Sequence, residues 1–459
     1  MSPMIPMSVP VRRPLSETGT DLASLHASRR ETYPFLLQSV ASGTPQGRWD
    51  ILFAFPGERR ELDAAGRLHG GAGNNTDFLR DLDHWFGREG TPGRTCPEGL
   101  PFCGGWFLYL GYELAGQVEP KLRLPEVEEP LPTALAVRIP AAILRDHDEG
   151  RLWWVAESAE ADAEFWPRAR GDLRLPPEDS DAELTDLTED DGAFYHAAVE
   201  QARRYIRDGD IFQANLARCW RGRLEPGSDP VALYRQLATH NPAPFAGLAD
   251  LGAATVISSS PERLLSVRRG RAAMRPIAGT RPRGEGAGDR ALSDELMRHP
   301  KERAEHVMLI DLIRNDLGRV CRPGSVAVDE QMVLESYAHV HHIVSNVVGE
   351  LRPGIGPGEA IRAAFPGGTI TGCPKVRCMA IIAELEQQGR GAYTGSMGYL
   401  DGGGDLDLNI LIRTLVQSGD RLTLRAGAGI VVDSDPEAEL AETRAKARGL
   451  LAALEAVRR

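Results

Sequence analysis

No run of about 18 apolar residues occurs in this 459-residue sequence, so no helix read from it is long and apolar enough to cross a bilayer. The first residues do not read as a secretory leader. Pro3, Pro6, Pro10 and Pro14 interrupt the first residues, no charged stretch precedes an apolar core, and residues 1–18 read as a flexible tail. Positive charge is scarce: 53 Lys and Arg stand against 65 Asp and Glu, a net charge of −12 with no basic stripe. That balance excludes a nucleic-acid partner. An acidic chain that takes an anionic substrate needs a local cationic site or a metal. Cysteine is sparse and unpatterned. Cys96, Cys103, Cys219, Cys321, Cys373 and Cys378 show no C-x-x-C and no histidine at zinc spacing, and read as reduced thiols of a cytoplasmic protein.

The length suits two or three domains, or one with a sizeable core. Residues 19–156 read as a β-rich N-terminal region. Residues 157–190, rich in acids and with Pro176 and Pro177, read as an acidic connecting segment. Residues 191–459 are regular, with strands and helices mixed but not strictly alternating. That order predicts an α+β fold of antiparallel sheets flanked by helices.

One stretch organises the rest. Residues 300–316 have helical periodicity, with Ala304, Val307, Met308 and Leu312 near one apolar face and Pro300 in the first turn. Glu302 and Glu305 share a side of that helix. A second pair at the same spacing, Glu439 and Glu442, lies in a late helical run. Alone, each pair also suits solvated surface acids. Together, two such helices could form an all-oxygen cage for a hard divalent cation.

Other motifs fall in the same half. Ser260-Pro261-Glu262-Arg263 sets an acid beside a fixed bend, and Pro276-Ile277-Ala278-Gly279-Thr280 is a tight turn with a hydroxyl. Phe365-Pro366-Gly367-Gly368-Thr369-Ile370-Thr371-Gly372-Cys373-Pro374-Lys375 is a Gly-rich turn opening a helix, suited to an anion but not a Walker A loop. His341-His342, Tyr399, Arg413 and the glycines Gly427 and Gly429 complete the set.

From about Asp191 onward these motifs, with Asp210-Ile211-Phe212-Gln213 and Ile412-Arg413-Thr414, resemble the chorismate-utilising enzymes. That family holds anthranilate synthase component I, aminodeoxychorismate synthase component I, and isochorismate and salicylate synthases. The resemblance implies the family's fold and a Mg2+ site at Glu302, Glu305, Glu439 and Glu442 that grips the ring carboxylate of chorismate. It implies that Arg413 and Tyr399 hold the enolpyruvyl carboxylate, that Glu262 is the general acid/base at the 4-hydroxyl, and that His342 handles protons. Thr280, Lys375, Thr369, Thr371, Gly368, Gly427, Gly429, Ala278 and Gln213 would line the pocket.

Isochorismate and salicylate synthases resemble one another in a water-activating lysine where this chain has Gln213. A glutamine is no base, which argues for ammonia as nucleophile. Ala278 is anthranilate-like, since aminodeoxychorismate synthases typically carry lysine there. Leu100-Pro101-Phe102-Cys103-Gly104-Gly105, Gly111-Tyr112-Glu113, Arg48-Trp49-Asp50-Ile51 and the Gly-rich turn instead look like aminodeoxychorismate synthase. Leu36-Leu37-Gln38-Ser39 lacks the acid of the Leu-Leu-Glu-Ser element at the tryptophan feedback site. The weight of these features implies aminodeoxychorismate synthase component I, with anthranilate synthase component I as the alternative. No Gly-x-Cys-x-Gly nucleophile turn is present. The resemblance therefore implies ammonia from a separate glutamine amidotransferase subunit.

Overall fold

A computed structural model describes residues 9–41, 47–71, 76–177, 180–283, 287–336 and 340–458. Two large sheets, of 12 and 11 strands, dominate it, and every ladder between named strands is antiparallel. The α+β architecture expected from the sequence is the one found.

Each sheet draws strands from both sides of residues 157–190. In the first, Phe35–Gln38 pairs with Phe245–Asp250. In the second, Gly105–Leu110 pairs with Ser396–Asp401. The N-terminal region and the later half therefore share both sheets. The segment read as a connector forms the helix Ala159–Asp172 and the strand Leu184–Glu189. Its weak periodicity, with Pro167 inside the helix, hid both. Part of the stretch read as a flexible tail is also structured: Val11–Leu15 is a strand paired with Arg151–Ala156.

Strand side chains alternate between faces, and in Gly105–Leu110 both faces are buried. Phe107 and Tyr109 point into the layer between the sheets, where Phe107 stacks on Phe35 at 3.8 Å. Trp106, Leu108 and Leu110 pack on the outer side among the helices Phe78–Glu89, Pro300–Gly318 and Pro357–Ala364. The first sheet's outer face lies under Pro230–His240 and Pro436–Glu455. Sheets and helices thus form four layers, and burial on both sides explains the continuous apolar run.

Two local expectations change. In the Pro300–Gly318 helix Leu312 is buried as expected and Met308 half-buried, but the face packed into the core is Ile310, Ile313 and Leu317, with Leu309 also buried, whereas Ala304 and Val307 face solvent, Val307 being 47% exposed. This 19-residue helix carries apolar residues on two sides, and periodicity alone fits either. Cys96 and Cys103 form a disulfide with Cα atoms 5.8 Å apart, while the other four cysteines are free. A separation of 7 residues within a loop gives no spacing signal of that pairing.

Candidate active site

The two acid-bearing helices meet the ends of both sheets at one place. Pro300–Gly318 lies against the strands Ile277–Pro282 and Val340–Glu350, and Pro436–Glu455 against Arg421–Ile430. Glu302 and Glu439 lie in the first turns of these helices, and Glu305 and Glu442 one turn further on. Asp435 caps the second of these helices by accepting from the Ala438 amide.

The stretch read as a tight turn is instead the strand Ile277–Pro282, irregular in register between Ala278 and Thr280, and Glu302 reaches it at Gly279. This glycine has φ +69°, and a methyl group there would come within 3.0 Å of the Glu302 Oε2. Left-handed backbone and a carboxylate in van der Waals contact both require glycine. Glu305 accepts a 2.9 Å hydrogen bond from Gln213 Nε2. Gly429 leaves room for that amide, since a methyl group there would meet Gln213 Nε2 at 2.4 Å. Glu442 pairs with Lys446 at 2.7 Å, and Lys446 also donates to the Gly427 carbonyl at 3.0 Å. Among the described residues no three of these carboxylates lie within 4.8 Å of one another. The donor set nonetheless fits Mg2+, which takes a few carboxylates and completes its shell with water and substrate oxygen.

Glu262 stands opposite. It is buried, and its backbone carbonyl accepts from the Ile410 amide at 3.0 Å. Thr369 donates its hydroxyl hydrogen to Glu262 Oε1 at 2.8 Å. Burial pushes the carboxyl up to about 7, against the opposing pull of Thr369, Arg413 and Lys446. A carboxyl with that value is available as an acid at neutral pH.

Arg413 has φ +55°, a strained conformation for a non-glycine residue of the kind that gathers at functional sites. Burial lowers its pKa, and Tyr393, Glu262 and Glu442 are the groups that oppose this electrostatically. Its guanidinium makes no hydrogen bond or ion pair with the described residues. A desolvated cation in that state keeps its N–H donors available, and a carboxylate is the acceptor that their fork matches. His342 donates from Nδ1 to the Gly279 carbonyl at 3.4 Å, the tautomer that a carbonyl acceptor requires. Burial lowers its pKa to about 4, so the ring is neutral at pH 7. Glu262, Glu442 and His342 are thus electrostatic neighbours of Arg413, Glu302 and His342 meet at Gly279, and Glu305 and Gln213 meet at Gly429.

Residues 46–452 match the family described as chorismate binding enzyme. The chain belongs to that family. It is 45% identical over 371 residues to the anthranilate synthase component I-like protein of Synechocystis sp., covering 79% of this chain and 75% of that one. It is 40% identical over 396 residues to aminodeoxychorismate synthase component 1 of Bacillus subtilis, covering 83% and 82%. Among solved structures, anthranilate synthase component I from Streptococcus pneumoniae matches with TM-score 0.79 at 32% identity, covering 89% of this chain and 93% of that one.

Within this chorismate-binding enzyme several residues stand elsewhere than expected. Tyr399 is not beside Arg413. Its hydroxyl accepts from Arg268 in a separate cavity lined by Gln38, Arg48, Arg263 and Asp407. Strand alternation turns it into the layer between the sheets, against Phe53 and Phe102. Tyr393 takes the place expected for it: a methyl group on Gly427 would meet its hydroxyl at 2.7 Å, and Arg413 is its electrostatic neighbour. Lys375 points away from the site, pairing with the buried Asp316 at 2.6 Å in a groove on the outer side of Pro300–Gly318. Thr371 is fully buried and donates its hydroxyl hydrogen to the Gly367 carbonyl at 2.9 Å, closing the turn. Gly368 serves packing, since a methyl group there would strike Leu312 at 2.2 Å. Ala278 is buried in its strand opposite Ile343. Thr280 pairs through its backbone with His342, while its side chain lies outside the described residues. Lys446 went unread in the sequence, although its i,i+4 spacing from Glu442 was a usable signal. Tyr393, between Gly391 and Gly395, carried no periodic signal.

Proposed function

We propose that the chain aminates chorismate with ammonia to give 4-amino-4-deoxychorismate, the precursor of para-aminobenzoate for folate. The observation that carries the reaction class is Gln213. It sits beside the acid cage with its amide donating to Glu305. An amide cannot deprotonate water, so the nucleophile is one that arrives already basic. Ammonia is that nucleophile, supplied by a separate glutamine amidotransferase subunit, as the "component 1" names of the relatives suggest.

In this reading Arg413 and Tyr393 take the enolpyruvyl carboxylate. Glu262, protonated near neutrality, gives its proton to the departing 4-hydroxyl, which leaves as water. His342, neutral, accepts a hydrogen bond or a proton through Nε2. Glu302, Glu305, Glu439 and Glu442 would hold Mg2+, which supplies Lewis-acid charge for the ring carboxylate.

The choice of C4 is supported at residue 38. The Gln38 amide donates to Asp50 at 3.2 Å and its carbonyl accepts from Tyr234 at 2.9 Å. Residue 38 itself brings an amide and not a carboxylate to the ammonium of a feedback amino acid, and the neighbouring Asp50 carboxylate is taken up by Gln38, the Ser39 amide and His147. A second reading, anthranilate synthase component I, is favoured by Ala278 and by the names of several relatives. Chromatography after incubation with chorismate, Mg2+ and ammonium, with and without aminodeoxychorismate lyase, tests both. Para-aminobenzoate that forms only with the lyase is the expected result, and unreacted chorismate would overturn the amination reading altogether.

A further inference from the structure

We propose that Arg390 is a positioning residue for this site: one buried guanidinium fixes the turn that carries Thr369, the strand that carries Gln213 and the loop that carries Tyr393 relative to one another. The proposal rests on reading that site as the chorismate site.

Arg390 is 1% exposed, and all five of its N–H groups are used. Nε donates to Glu386 Oε2 at 2.9 Å, and Nη2 donates to Glu386 Oε1 at 2.5 Å and to the Asn215 carbonyl at 2.8 Å. Nη1 donates to the Ile370 carbonyl at 3.1 Å and to Thr394 Oγ1 at 3.2 Å. Ile370 follows Thr369 directly, Asn215 lies two residues beyond Gln213, and Thr394 follows Tyr393. The guanidinium lies near both the Tyr112 and Tyr393 rings, 4.9 and 5.4 Å from their centres. Its own loop is anchored from the N-terminal region, where Glu113 accepts from the amides of Arg390 at 2.7 Å and Gly391 at 3.1 Å.

Packing alone does not call for an ion pair here. Replacing a buried pair by apolar side chains of similar volume is often neutral or stabilising. What an apolar side chain cannot do is hold carbonyls and a hydroxyl of three separate segments in one plane. The rigid fork of arginine does that, and the single ammonium of lysine does not.

Arg390→Lys in the full-length protein tests the assignment. Two readouts apply: kinetics with chorismate, Mg2+ and ammonium, and threonine-methyl NMR. The expected outcome is unfolding that remains cooperative, with kcat/KM for chorismate down about 30-fold, a change of about 2 kcal/mol. Methyl signals of Thr369 and Thr394 should move, while those of Thr20 and Thr239 stay. Combining it with Thr369→Val should lose little beyond the worse single variant, because both act on the same turn. An unmoved Thr369 signal, or losses that multiply in the double variant, would overturn the proposal. If Arg390→Lys does not fold, Arg390→Met with Glu386→Gln removes the buried charge pair, and the same methyl signals decide. Should the wild type fail to turn over chorismate, the functional reading falls, while the methyl shifts still judge Arg390.

Discussion

Thr369 and Glu262 are 107 residues apart in sequence and 2.8 Å apart in space, the threonine hydroxyl donating to the carboxylate. The bond joins the Gly-rich turn to the end of the strand Thr255–Ser260. It favours the charged form of a carboxyl that burial otherwise pushes toward the neutral one. Glu262 therefore sits at about 7, where it can give and take a proton within one turnover.

A pH dependence follows. With the protonated carboxyl as the active form, kcat measured at a fixed concentration of free ammonia should fall as pH rises through about 7. Thr369→Val removes a bond that stabilises the carboxylate, so this limb moves to higher pH. Glu262→Gln keeps the shape and loses the proton, which should cost about 10²–10⁴ in kcat. Activity that rises instead of falling as pH passes through about 7 would show that the active form is the carboxylate.

Arg413 gives the second test. Its guanidinium has no partner among the described residues and its neighbours hold it in left-handed backbone. Arg413→Lys keeps the charge and loses the bidentate fork, so KM for chorismate should rise about 10- to 100-fold, as for loss of a charge-assisted hydrogen bond of about 1.5–3 kcal/mol. An unchanged KM would make Arg413 structural.

The acid cage can be tested from two directions. Glu302→Ala or Glu442→Ala should abolish Mg2+-dependent turnover without unfolding the chain, and chelator should do the same to the wild type. Gly279→Ala touches no charge. It places a methyl group 3.0 Å from Glu302 Oε2 at a φ of +69°, and should weaken Mg2+ activation by displacing that carboxylate. Full activity in chelator would remove the metal from the scheme.

Local patterns were legible in the sequence and long-range ones were not. The i,i+3 acid pairs could be read because one helix turn fixes their spacing. The Gly-rich turn was legible as a turn, but not which of its hydroxyls faces outward: Thr369 reaches Glu262, and Thr371 bonds its own turn. Choosing between Tyr393 and Tyr399 needed the layer order. Tyr399 follows the strand's alternation into the core between the sheets, and nothing in its flanking residues signals that both faces of that strand are covered. The same difficulty misplaced part of the face of Pro300–Gly318: Leu312 is buried, but Ala304 and Val307 line an open groove.

These two tyrosines make a paired prediction. Tyr393→Phe should raise KM for chorismate several-fold, because its hydroxyl lies at Gly427 beside Arg413. Tyr399→Phe should leave that KM unchanged, because its hydroxyl is bound to Arg268 in the other cavity. Steady-state kinetics of the two variants side by side decides the assignment, and the reverse pattern would restore Tyr399 to the substrate.

Ala278 sets the last test. It is 7% exposed, lies opposite Ile343, and precedes the glycine that packs on Glu302. If this turn alone decided where ammonia enters, the wild type would make anthranilate, and Ala278→Lys would gain the C4 product. If the rest of the pocket decides, the wild type already makes aminodeoxychorismate, and the lysine changes rate more than product. The second outcome is the one expected. A tenfold preference between two positions needs a difference of only about 1.4 kcal/mol between two barriers. The placement of the ring by Arg413 and the cage, and the direction from which ammonia approaches, can supply that much without a covalent lysine. In Ala278→Lys the new ammonium enters a buried position near carboxylates, so its main effect should be on the charge balance of the cage and hence on kcat. Both products separate by chromatography once the lyase has converted aminodeoxychorismate to para-aminobenzoate. Anthranilate as the dominant wild-type product, with para-aminobenzoate absent, would overturn the C4 assignment and make this chain an anthranilate synthase component I.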